Sequence, residues 1–347
     1  MLKKDITVTF VGQMARVFVG IVGSALLARA LGPDGRGLYA LAILVPATVE
    51  RCLAAGMTGV NGTFAGLYRD QRKALFAQSV LFTLTVSALG MLAMAAYFFW
   101  LPVDRGKFAQ LPAPIVLLAM AYIPVQMASN LFRELARGCE QIVSTVVVVT
   151  CGFAARALAI LGFVMLMGGG LWAAVWITLA IPAALAICHV WQLRAYATLD
   201  PRQLSWPVAK HSFRFGGILT AAAAATFLTG QVNLYVLTYR VASVEQIGLF
   251  AVAVMVATQI QIIPNSVSQV FLPRASNDPE TRLKQTPFVF RCTLIASIAT
   301  MLVLVLIGPP GMIVLYGRRF SGSIVPFLMM LPGITLFGST RVLGMYL

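Results

Sequence analysis

Charge is scarce in this chain. Of 347 residues, 11% are Asp, Glu, Lys or Arg, and only 11 of those are acidic against 26 basic. Soluble proteins carry about a quarter charged residues, so there is too little polar surface to cover the 59% that are hydrophobic. That excludes a string of water-soluble domains. Histidine is nearly absent: His189 and His211 are the two, with no partner at zinc-ligand spacing, and both read as interfacial. The five cysteines (Cys52, Cys139, Cys151, Cys188, Cys292) form no CxxC pair and mostly fall in apolar runs. They read as small packing residues, which excludes a disulfide framework or a metal site. No cofactor is expected. Although the pI is about 10.2, no Lys/Arg-rich block interleaves with aromatics, so nucleic acid is excluded as a partner.

What the chain has is apolar length, with a mean hydropathy of +0.87. A window of about 19 residues yields ten segments long enough to span a bilayer: Ile6–Leu31, Gly37–Leu67, Leu75–Leu101, Leu111–Leu131, Val143–Met167, Leu171–Gln192, Gly217–Tyr239, Ile247–Leu272, Pro287–Ile307 and Ile324–Leu347. Inside lipid every backbone polar group needs an internal partner, so the segments must be helical. The expected fold class is an all-α polytopic membrane protein. The first run carries Gln13 and Arg16 and is followed by many others, so it reads as a first crossing and not as a cleaved leader.

The net charge of +15 tests the orientation. With the N-terminus cytoplasmic, fourteen basic residues lie inside and six (Arg36, Arg105, Lys107, Arg240, Arg318, Arg319) outside, which satisfies the positive-inside bias. Six arginines remain within or beside the spans: Arg16, Arg29, Arg51, Arg156, Arg291 and Arg341. Arg29, Arg291 and Arg341 read as snorkelled anchors near helix ends.

The chain also repeats itself. Leu26 to Ala42 echoes Leu237 to Ala253 at an offset of 211, aligning Arg29 with Arg240, Asp34 with Glu245, and Gly37-Leu-Tyr-Ala with Gly248-Leu-Phe-Ala. A weaker echo at 208 aligns Pro124 with Pro332 and Arg133 with Arg341. An even number of spans separates equivalent points, so the halves share one orientation, the parallel-repeat arrangement of certain transporters. The division expected is a first six-helix bundle over 1–192, a cytoplasmic linker over 193–216 and a second bundle over 217–347. Two repeats of about 210 residues predict roughly 420 in all, so the second bundle is read as C-terminally truncated, with four of an expected six helices. The stretch Gln192–Phe215 is basic and partly amphipathic, as an interfacial helix would be. Gly168-Gly-Gly170 and Pro309-Pro-Gly311 read as flexible outer connections.

The run Ala28-Arg-Ala-Leu-Gly-Pro-Asp-Gly-Arg-Gly-Leu-Tyr-Ala40 resembles the first-loop pattern of Wzx-type oligosaccharide flippases, which are polysaccharide-biosynthesis proteins of the multidrug/oligosaccharidyl-lipid/polysaccharide exporter superfamily. Phe271-Leu-Pro-Arg-Ala275 and Leu315-Tyr-Gly-Arg-Arg-Phe320 are similar to further features of that family. The resemblance covers essentially the whole chain. It implies twelve or more helices in two six-helix bundles, and the flipping of an undecaprenyl-pyrophosphate-linked oligosaccharide from the cytoplasmic to the periplasmic leaflet of the bacterial inner membrane.

Polar residues at membrane depth normally face a cavity or a partner. Gln13, Arg16, Gly20 and Ser24 share one face of the first span, and Tyr122, Gln126, Asn130, Arg133 and Arg137 share one of the fourth. The eighth brings Thr258, Gln261, Asn265 and Gln269 together, with Pro264 loosening the backbone. Such faces either hydrogen-bond helix to helix or line a hydrated cavity. Arg16, Arg51 and Arg156 are candidate ligands for phosphate, because guanidinium stays charged and binds phosphate as a fork. Arg51 could instead pair with Glu50, and Arg156 with a backbone carbonyl. Gln13, Gln126, Asn130, Asn233, Gln261 and Asn265 are further candidate substrate-binding residues, with Asn233 and Gln231 suited to sugar hydroxyls. Glu50 reads as the only carboxylate well inside a span, hence the candidate ion-coupling site.

The function expected is a transporter of lipid-linked oligosaccharide for polysaccharide biosynthesis, with glycosyltransferases or a polymerase of the same pathway as partners. Rivals are a lipid II flippase, a multidrug exporter, an inactive membrane remnant and a membrane-embedded polysaccharide enzyme. An enzyme would need a catalytic extramembrane loop, and the loops hold no acidic pair or metal cluster.

Overall fold

The computed structural model describes residues 2–102, 104–198, 206–240, 243–262, 264 and 279–343. Among them there are helices and no strand. In chain order these are α1 (Leu2–Leu67), α2 (Arg72–Ala95), α3 (Ala113–Met120), α4 (Tyr122–Gly138), α5 (Ile142–Ala159), α6 (Gly170–Gln192), α7 (Trp206–Arg240), α8 (Val244–Ala257), α9 (Pro279–Tyr316) and α10 (Ile324–Leu343). Single π turns extend α2 over Ala96–Trp100 and α5 over Ile160–Leu166. The chain divides into two compact units, Met1–Ile247 and Gly248–Leu347.

Among the described residues eight helices are long and apolar enough to cross a membrane, and the pair Ser212–Ala225 and Gly230–Arg240, bent by 50°, makes a ninth if it is one span. Their surfaces suit lipid: Phe18, Leu89, Leu306 and Met329 are exposed while Glu50, Asn61 and Asn130 are buried. The first candidate, Val11–Ala54, is 44 residues long, about 66 Å of helix against roughly 30 Å of hydrocarbon. It is in fact two crossings. Gly32 breaks the helix with φ 68° and ψ 177°, a backbone conformation that an L side chain resists. Pro33 then opens the second arm, where its missing N–H costs nothing. A Cβ on Gly23 would lie 3.6 Å from that of Ala157, while Arg156 reaches the Tyr39 hydroxyl. In a straight helix Gly23 and Tyr39 would be about 24 Å apart, so the chain doubles back at Gly32. The first two sequence segments are the two arms of this hairpin.

Small residues bring the helices together. Gly12, Gly20 and Gly23 on the first arm lie against Val146, Phe153 and Ala157 of α5, so the two run parallel. The second arm runs antiparallel to α2, with Asn61 bonded to Ser79 and Val49 beside Gly90. It also runs antiparallel to α7: Gly56 meets Gly216 and Thr220, and Tyr235 donates to Thr48 Oγ1 at 2.7 Å. Thus α7, which the repeat assigns largely to the second bundle, packs along α1 within the first unit.

Several expectations need correction. Pro309 and Pro310 are inside α9, not in a connection; intramembrane helices tolerate proline where local adjustments satisfy the freed carbonyls. Gly168 and Gly170, by contrast, do form a turn, with φ of 67° and 57°. The described end of the 192–215 stretch, from Trp206, is continuous with the spanning part of α7. Arg36 is not a loop residue: it is buried on α1, its guanidinium carbon 5.1 Å from the Tyr39 ring centre. Before Pro264 the chain tightens into a 3-10 turn over Thr258–Gln261, as expected where the proline ring crowds the preceding turn.

Candidate functional site

The second arm of α1, α4 and α7 enclose a cavity of about 310 Å³. Glu50, Arg51, Asn130, Arg133 and Glu134 supply its polar wall, and Leu219 and Ala223 of α7 close the apolar side. The polar wall follows from helical periodicity: Gln126, Asn130, Arg133 and Glu134 recur along one face of α4. Gln126 Nε2 donates to Asn130 Oδ1 at 3.2 Å, and Asn130 Nδ2 donates to Glu50 Oε1 at 2.8 Å. The Glu50 side chain is 2% exposed, whereas its neighbour Arg51 is 56% exposed with Nε 3.8 Å from Glu50 Oε2. Arg51 is thus loosely paired, and most of its guanidinium remains open.

Glu134 was missed as a site residue because the fourth sequence segment ends at Leu131. It lies within the Ala113–Gly138 span and accepts from Arg133 Nε at 3.1 Å and from Arg137 Nη1 at 3.2 Å. Glu134 lies one turn from the end of that span and is a second carboxylate on the wall that holds Glu50. Arg16 donates its Nε to the Gly12 carbonyl at 3.1 Å and is close enough to Arg133 and Arg137 to feel both charges. The cavity wall itself carries two guanidiniums (Arg51, Arg133) and two carboxylates (Glu50, Glu134), each carboxylate beside a neighbouring arginine.

The remaining candidates lie elsewhere. Arg156 Nη2 donates to the Tyr39 hydroxyl at 2.8 Å, which is 2.8 Å from Thr178 Oγ1. Its partner is a phenol, not the backbone carbonyl considered above, and the link ties α1, α5 and α6 together. Gln13 is half-buried, but the face it heads is partly packing surface: Gly20 meets Phe153, and Ser24 is buried with no partner for Oγ among the described residues. Asn233 is exposed on α7 and does not line the cavity. Gln261 is half-buried in the second unit, its Cγ 3.6 Å from the place of a Cβ on Gly338. Asn265 lies outside the described residues. Asn61, which no sequence pattern singled out, is fully buried and clamps three helices, donating to Ser79 Oγ at 2.8 Å and the Leu131 carbonyl at 3.1 Å.

Residues 2–277 match the family described as polysaccharide biosynthesis protein. No curated protein matches the sequence. Among solved structures, the fold is similar to an inward-facing multidrug resistance MATE family transporter of the MOP superfamily, with TM-score 0.66 and 14% identity over 95% of this chain and 81% of the other. An outward-facing MATE transporter matches at TM-score 0.61 and 16% identity, over 99% and 83%. A MOP superfamily transporter from Pyrococcus furiosus, described as having a binding pocket of reverse polarity, matches at 0.55 and 14%, over 99% and 83%. The fold is thus one that membrane transporters share. With four-fifths of its length inside the matched region, the chain belongs to the polysaccharide biosynthesis protein family.

Proposed function

We propose that the protein flips an undecaprenyl-pyrophosphate-linked oligosaccharide from the cytoplasmic to the periplasmic leaflet of the inner membrane by alternating access. The N-terminus lies in the cytoplasm, and the repeats are bounded at 1–192 and 217–347. The observation that carries this reading is Arg51, whose open guanidinium stands at the wall of a polar cavity beside buried Glu50. A pyrophosphate entering there meets a fork it can bind bidentately, with Arg133 on the same wall. Arg51 is the exposed member of its pair and Glu50 the buried one, which favours an anion at this wall, while Asn130 and the backbone around Gly59 suit sugar hydroxyls. Glu50 is the ion-coupling group, because Asn130 and Arg51 hold it at a helix–helix contact that movement would break.

The test is translocation in vesicles, read as access of an impermeant glycan-binding reagent to the lipid-linked oligosaccharide. Arg51→Ala slows transfer about tenfold or more, the loss of one charge-assisted contact, and leaves thermal stability unchanged. Undiminished transfer in both Arg51→Ala and Arg133→Ala overturns the reading. The two carboxylates of the wall favour one alternative, export of organic cations. Efflux of a cationic dye from the same vesicles, abolished by Glu50→Gln and insensitive to Arg51→Ala, would establish it instead.

A further inference from the structure

A second cleft, of about 540 Å³, opens between α2, α4 and the end of α6, within the size range of ligand pockets. Its wall is almost wholly apolar: Phe76, Val80, Leu84, Phe132 and Val190, with Phe76 and Phe132 stacked at 5.2 Å between ring centres. It is separate from the Glu50 cavity. Phe132 follows Asn130 by two residues, about 200° round the helix, so the two spaces flank α4 on opposite sides.

One turn before Phe76, on the same face of α2, stands Arg72. It is 8% exposed. Its Nε donates to the Ala65 carbonyl at 2.9 Å and its Nη1 to the Tyr196 hydroxyl at 3.1 Å, with the guanidinium over the Tyr196 ring at 5.5 Å. Its Nη2 is buried and has no hydrogen-bond partner among the described residues. A buried cationic donor without an acceptor is costly, and the group that matches guanidinium best is a phosphate or carboxylate oxygen. Tyr196 is followed by Ala197 and Thr198, which complete the cleft, so the Arg72–Tyr196 pair adjoins it, one turn of α2 from Phe76 on one side and one residue from Ala197 on the other. Exposed Lys73 and Arg194 lie beside Arg72 and Tyr196 in sequence, and Arg194 stacks over Trp191 at 5.0 Å. Aromatic and basic residues together are the usual furniture of the headgroup level.

We propose that this cleft binds an anionic membrane phospholipid, its phosphate on Arg72 and one acyl chain between Phe76, Leu84 and Phe132. The lipid is a resident of the bilayer and not the transported molecule. An apolar cleft at the lipid-facing side of a membrane helix bundle is filled by what surrounds it, and the unmet guanidinium donor selects for negative charge.

Native mass spectrometry of the full chain in detergent, with phosphatidylglycerol, phosphatidylcholine or inorganic phosphate added, tests this. Phosphatidylglycerol should be retained in preference to phosphatidylcholine, and inorganic phosphate should not displace it. Arg72→Gln should weaken retention about tenfold, the loss of one charge-assisted hydrogen bond. Because Arg72 also holds Ala65 and Tyr196, a second variant is needed: Leu84→Trp, at a position 64% exposed, fills the cleft without touching Arg72. It should reduce retention while the thermal midpoint stays within a degree or two. Unaltered phosphatidylglycerol retention in Leu84→Trp overturns the proposal. So does retention of a prenyl pyrophosphate in place of phosphatidylglycerol, or displacement by inorganic phosphate.

Discussion

Asn130 donates a 2.8 Å hydrogen bond to Glu50, joining α4 to the second arm of α1 across 80 residues of sequence. The repeat offsets of 211 and 208 map this pair onto Gln261 and Gly338, and those two residues are also in contact, within the second unit. The pair aligned by sequence is charged and hydrogen-bonded in the first unit, and neutral in the second, where a Cβ on Gly338 would lie 3.6 Å from Gln261 Cγ. Asn130→Leu removes a donor from a buried carboxylate and should cost about 1–3 kcal/mol. Thermal unfolding in detergent measures it. Gln261→Ala should cost less, since it strands no carboxylate. Equal losses would show that the Glu50 contact has no special weight.

The Arg156–Tyr39 bond gives a second expectation. Since Tyr39 also meets Thr178 and lies under Arg36, Arg156 acts as a brace for three helices. Arg156→Met and Tyr39→Phe should each destabilise, and together by less than their sum, with a coupling of about 0.5–3 kcal/mol. An additive double variant would detach Arg156 from this role.

At Gly56 a Cβ would fall 2.2 Å from Thr220 Oγ1 and still closer to the Gly216 carbonyl. Neither arm can move aside cheaply, so Gly56→Val should cost about 1–3 kcal/mol or more and separate α7 from α1. Cross-linking between cysteines placed at positions 48 and 235 reads that separation directly. Gly217→Val, with nothing within 4 Å, is the control and should leave both readouts unchanged.

Arg29 and Arg240 occupy equivalent repeat positions and are both exposed. In a variant lacking the five native cysteines, Arg29→Cys and Arg240→Cys should both react with an impermeant thiol reagent added to intact cells. Labelling of either one only after the cells are opened would reverse the orientation.

Much of this was legible beforehand. Apolar length located the crossings, and helical period put Gln126, Asn130 and Arg133 on one face, where the cavity wall is. Glu50 and Arg51 stood out because charge at membrane depth is rare. Period, however, says which residues share a face and not what faces them. Gly20 and Ser24 matched the same template as the α4 face and proved to be partly packing surface against α5. Asn61 was invisible because a single buried amide carries no pattern, although it clamps three helices. Glu134 was lost to a boundary placed a turn too early. By sequence Arg36 falls in the first-loop pattern, since nothing in sequence announces that a hairpin will turn on one glycine.

That turn has a mechanical meaning. With only Gly32 outside helical geometry, the elbow offers a single pair of torsions, and Arg36 and Tyr39 clasp each other directly behind it. Because α5 packs Ala157 against Gly23 of the first arm and bonds Arg156 to Tyr39 of the second, a tilt of α5 reaches both arms at once, and so the wall that holds Glu50 and Arg51.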